Sequence, residues 1–128
     1  MAGKVFIFDD DADILMMCRL VLEMKGFEVF SATNCADLLL KVRDVQPDVI
    51  LMDNKIAPEG GIQATRQLKN ETDTAAIPVI YFSANINVES LGQQAGADFF
   101  LQKPFDIDEM EKLVTTAIKN NQASEARN

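Results

Sequence analysis

The chain of 128 residues contains no histidine. It therefore has no histidine general base, no histidine metal ligand and no histidine that could donate a phosphoryl group. Cysteine is also scarce, because Cys18 and Cys35 are the only two and their spacing is not that of metal ligands. Both fall in apolar helical patterns, and we expect both to be buried free thiols.

Long apolar runs and positive charge are scarce as well. No stretch approaches the roughly 18 apolar residues of a membrane span, and the N-terminus lacks the apolar core of a signal peptide. We therefore expect a cytoplasmic protein without membrane contact. The 12 basic and 20 acidic residues give a net charge of −8. Such a charge opposes direct nucleic-acid binding and favours a basic partner surface or a bound cation.

Five short apolar segments alternate with five segments of helical spacing. Near-continuous apolar strands are typical of a parallel sheet that is covered on both faces, and the alternation predicts a three-layer α/β sandwich. We expect the polar end of the chain from Asn120 to be frayed or disordered. The sequence thus predicts one domain over residues 1–120 and a polar C-terminal tail over residues 121–128. The predicted strands are residues 5–8, 27–32, 48–52, 78–82 and 99–101.

Chemically active side chains follow four of these predicted strands. Asp9 and Asp10 follow the first, Asp53 the third, Ser83 the fourth and Lys103 the fifth. The carboxyl ends of parallel strands share one edge of a sheet, where ligands bind in open α/β folds. We therefore expect these side chains to lie near one another.

The acids after the first strand have two interpretations. Aspartates at a helix start satisfy free backbone N–H groups, and this accounts for Asp11 and Asp13. Asp9 and Asp10 instead stand at the strand end, beside the expected position of Asp53. Three converging carboxylates repel one another unless a cation neutralises them. Ligands that are all oxygen atoms favour a hard ion, magnesium above all.

Asp53 also has two interpretations. It could simply begin a loop, or it could accept a phosphoryl group to form an acyl phosphate. That reaction needs a metal, a fixed ammonium and a hydroxyl donor around the phosphoryl oxygens. The acid pair, Lys103 and Ser83 would supply these three groups. Either Lys103 or Ser83 alone carries little weight, but the complete set favours phosphoryl transfer.

Four segments of the chain resemble the receiver domain of response regulators, the phosphoacceptor module of two-component signalling. They read VFIFDDDADI, VILMDNKIAPEGG, IPVIYFSA and GADFFLQKPF. The resemblance runs from Lys4 to about Asn120. It implies a flavodoxin-like three-layer sandwich, with a five-stranded parallel sheet of order 2-1-3-4-5 and five helices.

The resemblance also implies a metal site and a phosphorylation site. Asp53 matches the phosphorylated aspartate of the family. Asp10 matches a direct Mg²⁺ ligand, and Asp9 matches its partner, which acts mainly through water. The backbone carbonyl of Lys55 matches a further metal ligand.

Three further positions match the family's switching machinery. Ser83 matches its Ser/Thr, and Lys103 matches its lysine, which is followed by a proline that is commonly cis. Phe100 matches an aromatic switch residue; the alternative is an ordinary aromatic packed in or near the core. The implied mechanism moves Ser83 and Lys103 toward the phosphoryl group and lets Phe100 rotate, which changes the surface of the fourth helix, fifth strand and fifth helix.

The loop after Asp53 departs from the family pattern. Receivers usually carry Met-Pro three and four residues after the phosphoacceptor, whereas this chain has Ile56 and Ala57, with Pro58 displaced by one position. The glycine at the eighth position, Gly61, is kept. We therefore expect a different loop shape, and with it different access to the phosphoryl group.

The leading hypothesis is a stand-alone receiver, a signalling switch rather than an enzyme. A histidine kinase or phosphotransfer protein would phosphorylate Asp53, and an unidentified downstream protein, or a second copy in a phosphorylation-dependent homodimer, would bind the switched surface.

One alternative is an interaction module that works without phosphate. Another is an aspartate-nucleophile phosphohydrolase, but its second acid is replaced by Lys55. A dinucleotide-binding domain is disfavoured because acids, not a glycine-rich turn, follow the first strand.

Overall fold

The computed structural model describes the backbone of residues 3–127 and the side chains of residues 3–121. Strands and helices alternate along the chain. The strands are β1 (Gly3–Phe8), β2 (Phe27–Ala32), β3 (Val49–Asp53), β4 (Val79–Ser83) and β5 (Phe99–Gln102). The helices are α1 (Ala12–Met24), α2 (Leu38–Val45), α3 (Gly61–Asn70), α4 (Val88–Ala95) and α5 (Ile107–Arg127).

The five strands form one parallel sheet in the order β2-β1-β3-β4-β5. This confirms the predicted fold class and strand order. The order reverses between β1 and β3, which is where open α/β sheets bind ligands. Phe8 pairs with Met52 across these two strands, so the residues that follow them, Asp9 and Asp53, emerge side by side.

Alternate side chains of the central strands enter two separate hydrophobic cores. Val5 and Ile7 of β1 pack with α1 and α5 on one face, and Phe6 and Phe8 pack with α2, α3 and α4 on the other. Because successive side chains of a strand point to opposite faces, a strand covered on both sides must be apolar throughout. This is why the predicted strands are continuous apolar segments.

The start of α1 follows the prediction for Asp11 and Asp13. Asp11 is the N-cap, and its Oδ1 accepts hydrogen bonds from the backbone N–H groups of Asp13 at 2.9 Å and Ile14 at 3.3 Å. Asp13 lies in the first turn, where its charge complements the helix dipole. These two acids therefore act in the helix start.

The C-terminal helix is longer than expected. The backbone is helical through Arg127, past Asn120, where the sequence suggests fraying. The segment contains neither glycine nor proline and is rich in Gln, Ala, Glu and Arg, which are strong helix formers. The domain boundary at residue 120 stays a prediction. No helix in the described part of the chain is long and apolar enough to span a membrane.

The two cysteines differ in their surroundings. Both are free thiols, and Cys18 is buried on α1 as expected. Cys35 is only half-buried and lies in the loop before α2, so its prediction as a buried helical residue was wrong. The reason is that α2 begins only at Leu38, after Asp37 takes a left-handed conformation with φ 54°.

Helix α3 begins in tight contact with the end of β3. The N–H of Gly61 donates a hydrogen bond to the carbonyl of Asn54 at 2.8 Å. A Cβ atom on Gly61 would lie 2.2 Å from the carbonyl oxygen of Asp53 and 3.0 Å from the Cα of Asn54. Only glycine therefore allows the helix to start this close to Asp53.

We expect the Gly61→Ala variant to be destabilised by about 3 kcal/mol, because its new Cβ must displace the backbone of Asp53. Urea unfolding monitored by circular dichroism would measure this loss. Gln63→Ala, at an exposed position of the same helix, should change the free energy of unfolding by no more than about 0.5 kcal/mol. A Gly61→Ala variant as stable as wild type would contradict the tight contact.

Candidate functional site

Three acids meet at the carboxyl edge of the sheet. Asp9, Asp10 and Asp53 each place a carboxylate oxygen within 4.8 Å of the others. Asp9 and Asp53 are buried, whereas Asp10 is exposed at the mouth of the site. The structure thus brings together the acids that follow β1 and β3.

Lys103 joins the two buried acids. Its Nζ donates to Asp9 Oδ2 at 2.6 Å and to Asp53 Oδ1 at 3.1 Å, and it lies 4.5 Å from the centre of the Phe82 ring. The backbone is fixed as well, because the N–H of Lys103 donates to the Ser83 carbonyl at 2.8 Å. The peptide bond to Pro104 is cis, as the resemblance implied. The ammonium therefore connects the ends of β1 and β3 from a residue that follows β5.

Burial and charge act in opposite directions within this group. Burial is the largest influence on Asp9, and it raises the pKa of that carboxyl above its ordinary value of 3.8 despite hydrogen bonds from Lys103 and the Asp11 N–H. The charge of Asp53 adds to the increase. Burial alone would lower the pKa of Lys103, but the hydrogen bond to Asp9 and the charges of both acids outweigh it and raise that pKa. The lysine stays charged, and ionised Asp9 is stabilised by additional positive charge.

The donor atoms fit a hard divalent cation. Both oxygens of Asp9 are engaged, Oδ2 with Lys103 and Oδ1 with the N–H of Asp11 at 2.8 Å. Among the described residues, Asp53 Oδ2 and the Asp10 carboxylate have no such hydrogen bond. Carboxylate oxygens without nitrogen or sulfur ligands suit magnesium, which keeps several of its waters. The free oxygens of Asp10 and Asp53 are thus the ones available to contact a cation directly.

Ser83 lies beside the acids without bonding to them. It is buried at the end of β4, next to β3, and its Oγ accepts a hydrogen bond from the backbone N–H of Asn85 at 3.1 Å. Among the described residues no side-chain hydrogen bond joins Ser83 to Asp53. The Ser83 hydroxyl is thus engaged with the Asn85 N–H and not with the Asp53 carboxylate.

Phe100 lies outside the acidic pocket. It pairs with Tyr81 across β4 and β5, is half-buried, and packs against the core under α4. A Cβ atom on Gly92 of α4 would lie 2.5 Å from two atoms of the Phe100 ring. The ring therefore rests directly on the glycine backbone of α4.

The loop that follows Asp53 is held at several points. The side chain of Lys55 is exposed. The group of this residue that the resemblance assigns to the metal site is its backbone carbonyl. Ile56 is buried in the core, and the Ala57 carbonyl accepts a hydrogen bond from the N–H of Cys35 at 2.7 Å. The peptide bond between Ala57 and Pro58 is cis, which the sequence did not indicate.

Sequence reasoning missed one polar contact at the site. The Tyr81 hydroxyl donates a hydrogen bond to the side-chain oxygen of Asn54, the residue after Asp53. Tyr81 is the only tyrosine of the chain and lies in the apolar segment PVIYF. A buried tyrosine hydroxyl usually has a hydrogen-bond partner, so a lone tyrosine in a core strand was the available signal.

The fold and the site define the class of protein. The strand order of this parallel sheet is that of flavodoxin-like α/β proteins. Three acids and a lysine form an acidic pocket where the order reverses, between β1 and β3. The family model described as "Response regulator receiver domain" matches residues 5–115. The chain belongs to this family of signalling switches in two-component systems, which confirms the resemblance.

Curated relatives and solved structures agree with this assignment. The chain is 32% identical over 118 residues to protein PilH of Pseudomonas aeruginosa, covering 91% of this chain and 98% of PilH. It is 35% identical over 113 residues to the phosphate regulon transcriptional regulatory protein PhoB of the same species, covering 86% of this chain and 49% of PhoB. The chain thus spans about half the length of PhoB. A putative response regulator from Chloroflexus aurantiacus superposes with a TM-score of 0.86 at 25% identity, over 91% of this chain and 98% of that one.

We expect Lys103→Met to lower the free energy of unfolding by about 3 kcal/mol in the presence of EDTA, because it leaves two buried carboxylates without a positive charge. Adding Mg²⁺ should stabilise this variant more than wild type, since the ion then supplies the missing charge. Urea unfolding with and without Mg²⁺ would measure both effects. Lys119→Met, at an exposed position of α5, should behave as wild type. Equal stability of Lys103→Met and wild type in EDTA would contradict this account.

We expect Gly92→Ala to displace the Phe100 ring and to lower the free energy of unfolding by about 2 kcal/mol. Ser90→Ala is the matched control, because it is exposed on the same helix and also introduces the better helix former. Aromatic NMR shifts of Phe100 and urea unfolding would measure the two effects. If Gly92→Ala were stabilising, as Ser90→Ala should be, the ring would not rest on Gly92.

Proposed function

We propose that this chain is the phosphoacceptor of a two-component phosphorelay and acts in the cytoplasm. A histidine kinase or a phosphotransfer protein would phosphorylate Asp53 in a magnesium-dependent reaction. The observation that carries the proposal is the position of Lys103 Nζ between Asp9 and Asp53, with three carboxylates within 4.8 Å of one another. Nucleophile, fixed ammonium and oxygen ligands are the groups that phosphoryl transfer to a carboxylate requires.

The transfer step uses a phosphoryl group that another molecule supplies, because this chain has no histidine of its own. A carboxylate oxygen of Asp53 attacks the phosphorus of a phosphohistidine. The O–P bond forms as the P–N bond breaks, and the electron pair of that bond stays on the imidazole nitrogen, which takes up a proton. The product is an acyl phosphate on Asp53 and a neutral histidine on the donor.

The pocket residues divide the remaining work between them. The Lys103 ammonium, already 3.1 Å from Asp53, stabilises negative charge on the phosphoryl oxygens. Asp10, Asp53 and the Lys55 carbonyl would hold magnesium directly, and Asp9 would hold it through water. When bound, the ion offsets charge on the phosphoryl oxygens.

The signal would leave the pocket through Ser83 and Phe100. The Ser83 hydroxyl can rotate from the Asn85 N–H toward a phosphoryl oxygen, which vacates space beside β5. Phe100 would then leave its place on Gly92 and change the surface formed by α4, β5 and α5. A downstream protein that binds the changed surface more tightly shifts the population toward it.

We expect wild type to gain the mass of one phosphoryl group when incubated with acetyl phosphate and Mg²⁺, and Asp53→Asn to gain none, because the amide is not a nucleophile. Intact-mass spectrometry would measure the modification. Asp13→Asn, an exposed acid of the α1 start, should still be modified and is the matched control.

Two other outcomes would replace this function. A folded wild-type protein that is never modified would indicate a receiver-like interaction module that works without phosphate. Steady release of phosphate from small phosphate monoesters would indicate a hydrolase, although the residue two positions after Asp53 is Lys55 rather than an acid.

A further inference from the structure

We propose that Tyr81 is a positioning residue of the phosphoacceptor site: its hydroxyl fixes Asn54 and thereby the backbone segment from Asp53 to Lys55. Tyr81 is fully buried in β4, and its hydroxyl donates to the side-chain oxygen of Asn54. This segment carries both the candidate nucleophile and the carbonyl directed toward the metal.

Asn54 is held at two separate atoms. Its backbone carbonyl accepts the N–H of Gly61 at 2.8 Å, and its side-chain oxygen accepts the Tyr81 hydroxyl. One contact at the backbone and one at the side chain together restrict rotation of the residue. Because Asn54 lies between Asp53 and Lys55, the two contacts fix the position of the Asp53 carboxylate relative to the Lys55 carbonyl.

The other contacts of the loop lie farther from the nucleophile. The Gly60 N–H donates to the Ile56 carbonyl at 2.7 Å, and the Cys35 N–H donates to the Ala57 carbonyl at 2.7 Å. Among the described residues, Tyr81 provides the only side-chain hydrogen bond to Asn54. Removing its hydroxyl therefore loosens the part of the loop that adjoins Asp53 and leaves the rest in place.

The Tyr81 ring is itself tightly held, which makes its hydroxyl a fixed point. The ring lies in the core between the sheet and α2–α4, and Tyr81 pairs with Phe100 across β4 and β5. A Cβ atom on Gly92 would lie 3.1 Å from the Cβ of Tyr81, so α4 packs closely against the base of the tyrosine side chain. Residues that orient a reactive group act best when packing restricts their own side chains.

The hydroxyl keeps its proton in this environment. Burial, with a further contribution from the negative charge of Asp53, raises the pKa of Tyr81 to about 12. The group is therefore a hydrogen-bond donor across the physiological range, matched to the carbonyl oxygen of the Asn54 amide.

We expect Tyr81→Phe, which keeps the ring and removes only the hydroxyl, to have three effects. Amide hydrogen exchange at Gly61 should become about fivefold faster, since one of the two contacts of its acceptor residue is lost. The Kd for Mg²⁺, measured by NMR titration, should rise about fivefold. The rate of modification by acetyl phosphate should fall to a similar extent. This last effect rests on the proposed phosphoryl transfer and the Mg²⁺ effect on the proposed metal site, whereas exchange at Gly61 rests on neither.

Thr74→Val is the matched control. It removes another buried hydroxyl, which donates to the Leu68 carbonyl at 2.6 Å, far along the chain from the acidic pocket. This variant should lose stability yet keep the Mg²⁺ affinity and the Gly61 exchange rate of wild type. Asn54→Ala should reproduce the loss of Mg²⁺ affinity, and the double variant with Tyr81→Phe should lose no more than either single variant.

The outcomes separate this inference from the proposed function. If Tyr81→Phe is folded and its Mg²⁺ affinity and Gly61 exchange match those of wild type, the positioning role is wrong. The same conclusion holds if Thr74→Val lowers the Mg²⁺ affinity equally, since the effect is then one of general stability. If wild type binds Mg²⁺ but is never phosphorylated, while Tyr81→Phe still weakens Mg²⁺ binding, the inference is supported and the proposed function fails.

Discussion

The site depends on one ammonium group between two buried carboxylates. Asp9 and Asp53 end neighbouring strands, so the sheet itself forces their charges together. Lys103 relieves this repulsion, although it lies 94 positions away from Asp9 in the chain. Its Nζ lies over the ring of Phe82, a residue of β4. Lys103 does not offset the cost of burial, which raises the pKa of Asp9 above its ordinary value. The carboxylates of Asp9, Asp10 and Asp53 supply the oxygen atoms that could hold a further cation.

The starts of α1 and α3 and the core residue Tyr81 hold the residues around this group in place. Asp11 caps α1, and its N–H holds the second oxygen of Asp9, so one residue serves both the helix and the site. Gly61 lets α3 begin against the Asp53 carbonyl, and Tyr81 holds Asn54 from the core side. Asp53, the candidate nucleophile, thus lies on a strand end whose next residue is held by a helix start and by a core aromatic residue. Such support is what keeps a reactive group in a defined position.

The candidate switch residues, Ser83 and Phe100, lie outside the group formed by the acids and Lys103. Phe100 rests on Gly92 under α4, and Ser83 ends β4, with its hydroxyl accepting the Asn85 N–H. A close-packed core tends to have discrete arrangements rather than continuous deformation, which suits a two-state receiver. The family model covers residues 5–115 and therefore includes all of these positions.

Local patterns in the sequence determined the order of strands and helices, the Asp11 cap and the set of strand-end residues, and the family resemblance supplied the order of the strands in the sheet. These features depend on periodicity, helix-start chemistry and the rule that parallel strands end at one edge, all of which act over a few residues. The tertiary structure alone decided that both oxygens of Asp9 are engaged, that Tyr81 reaches Asn54, that Phe100 rests on Gly92, and that Cys35 is half-exposed. Most of these contacts join residues far apart in the chain, so their geometry exists only once the sheet has assembled and the helices have packed on it.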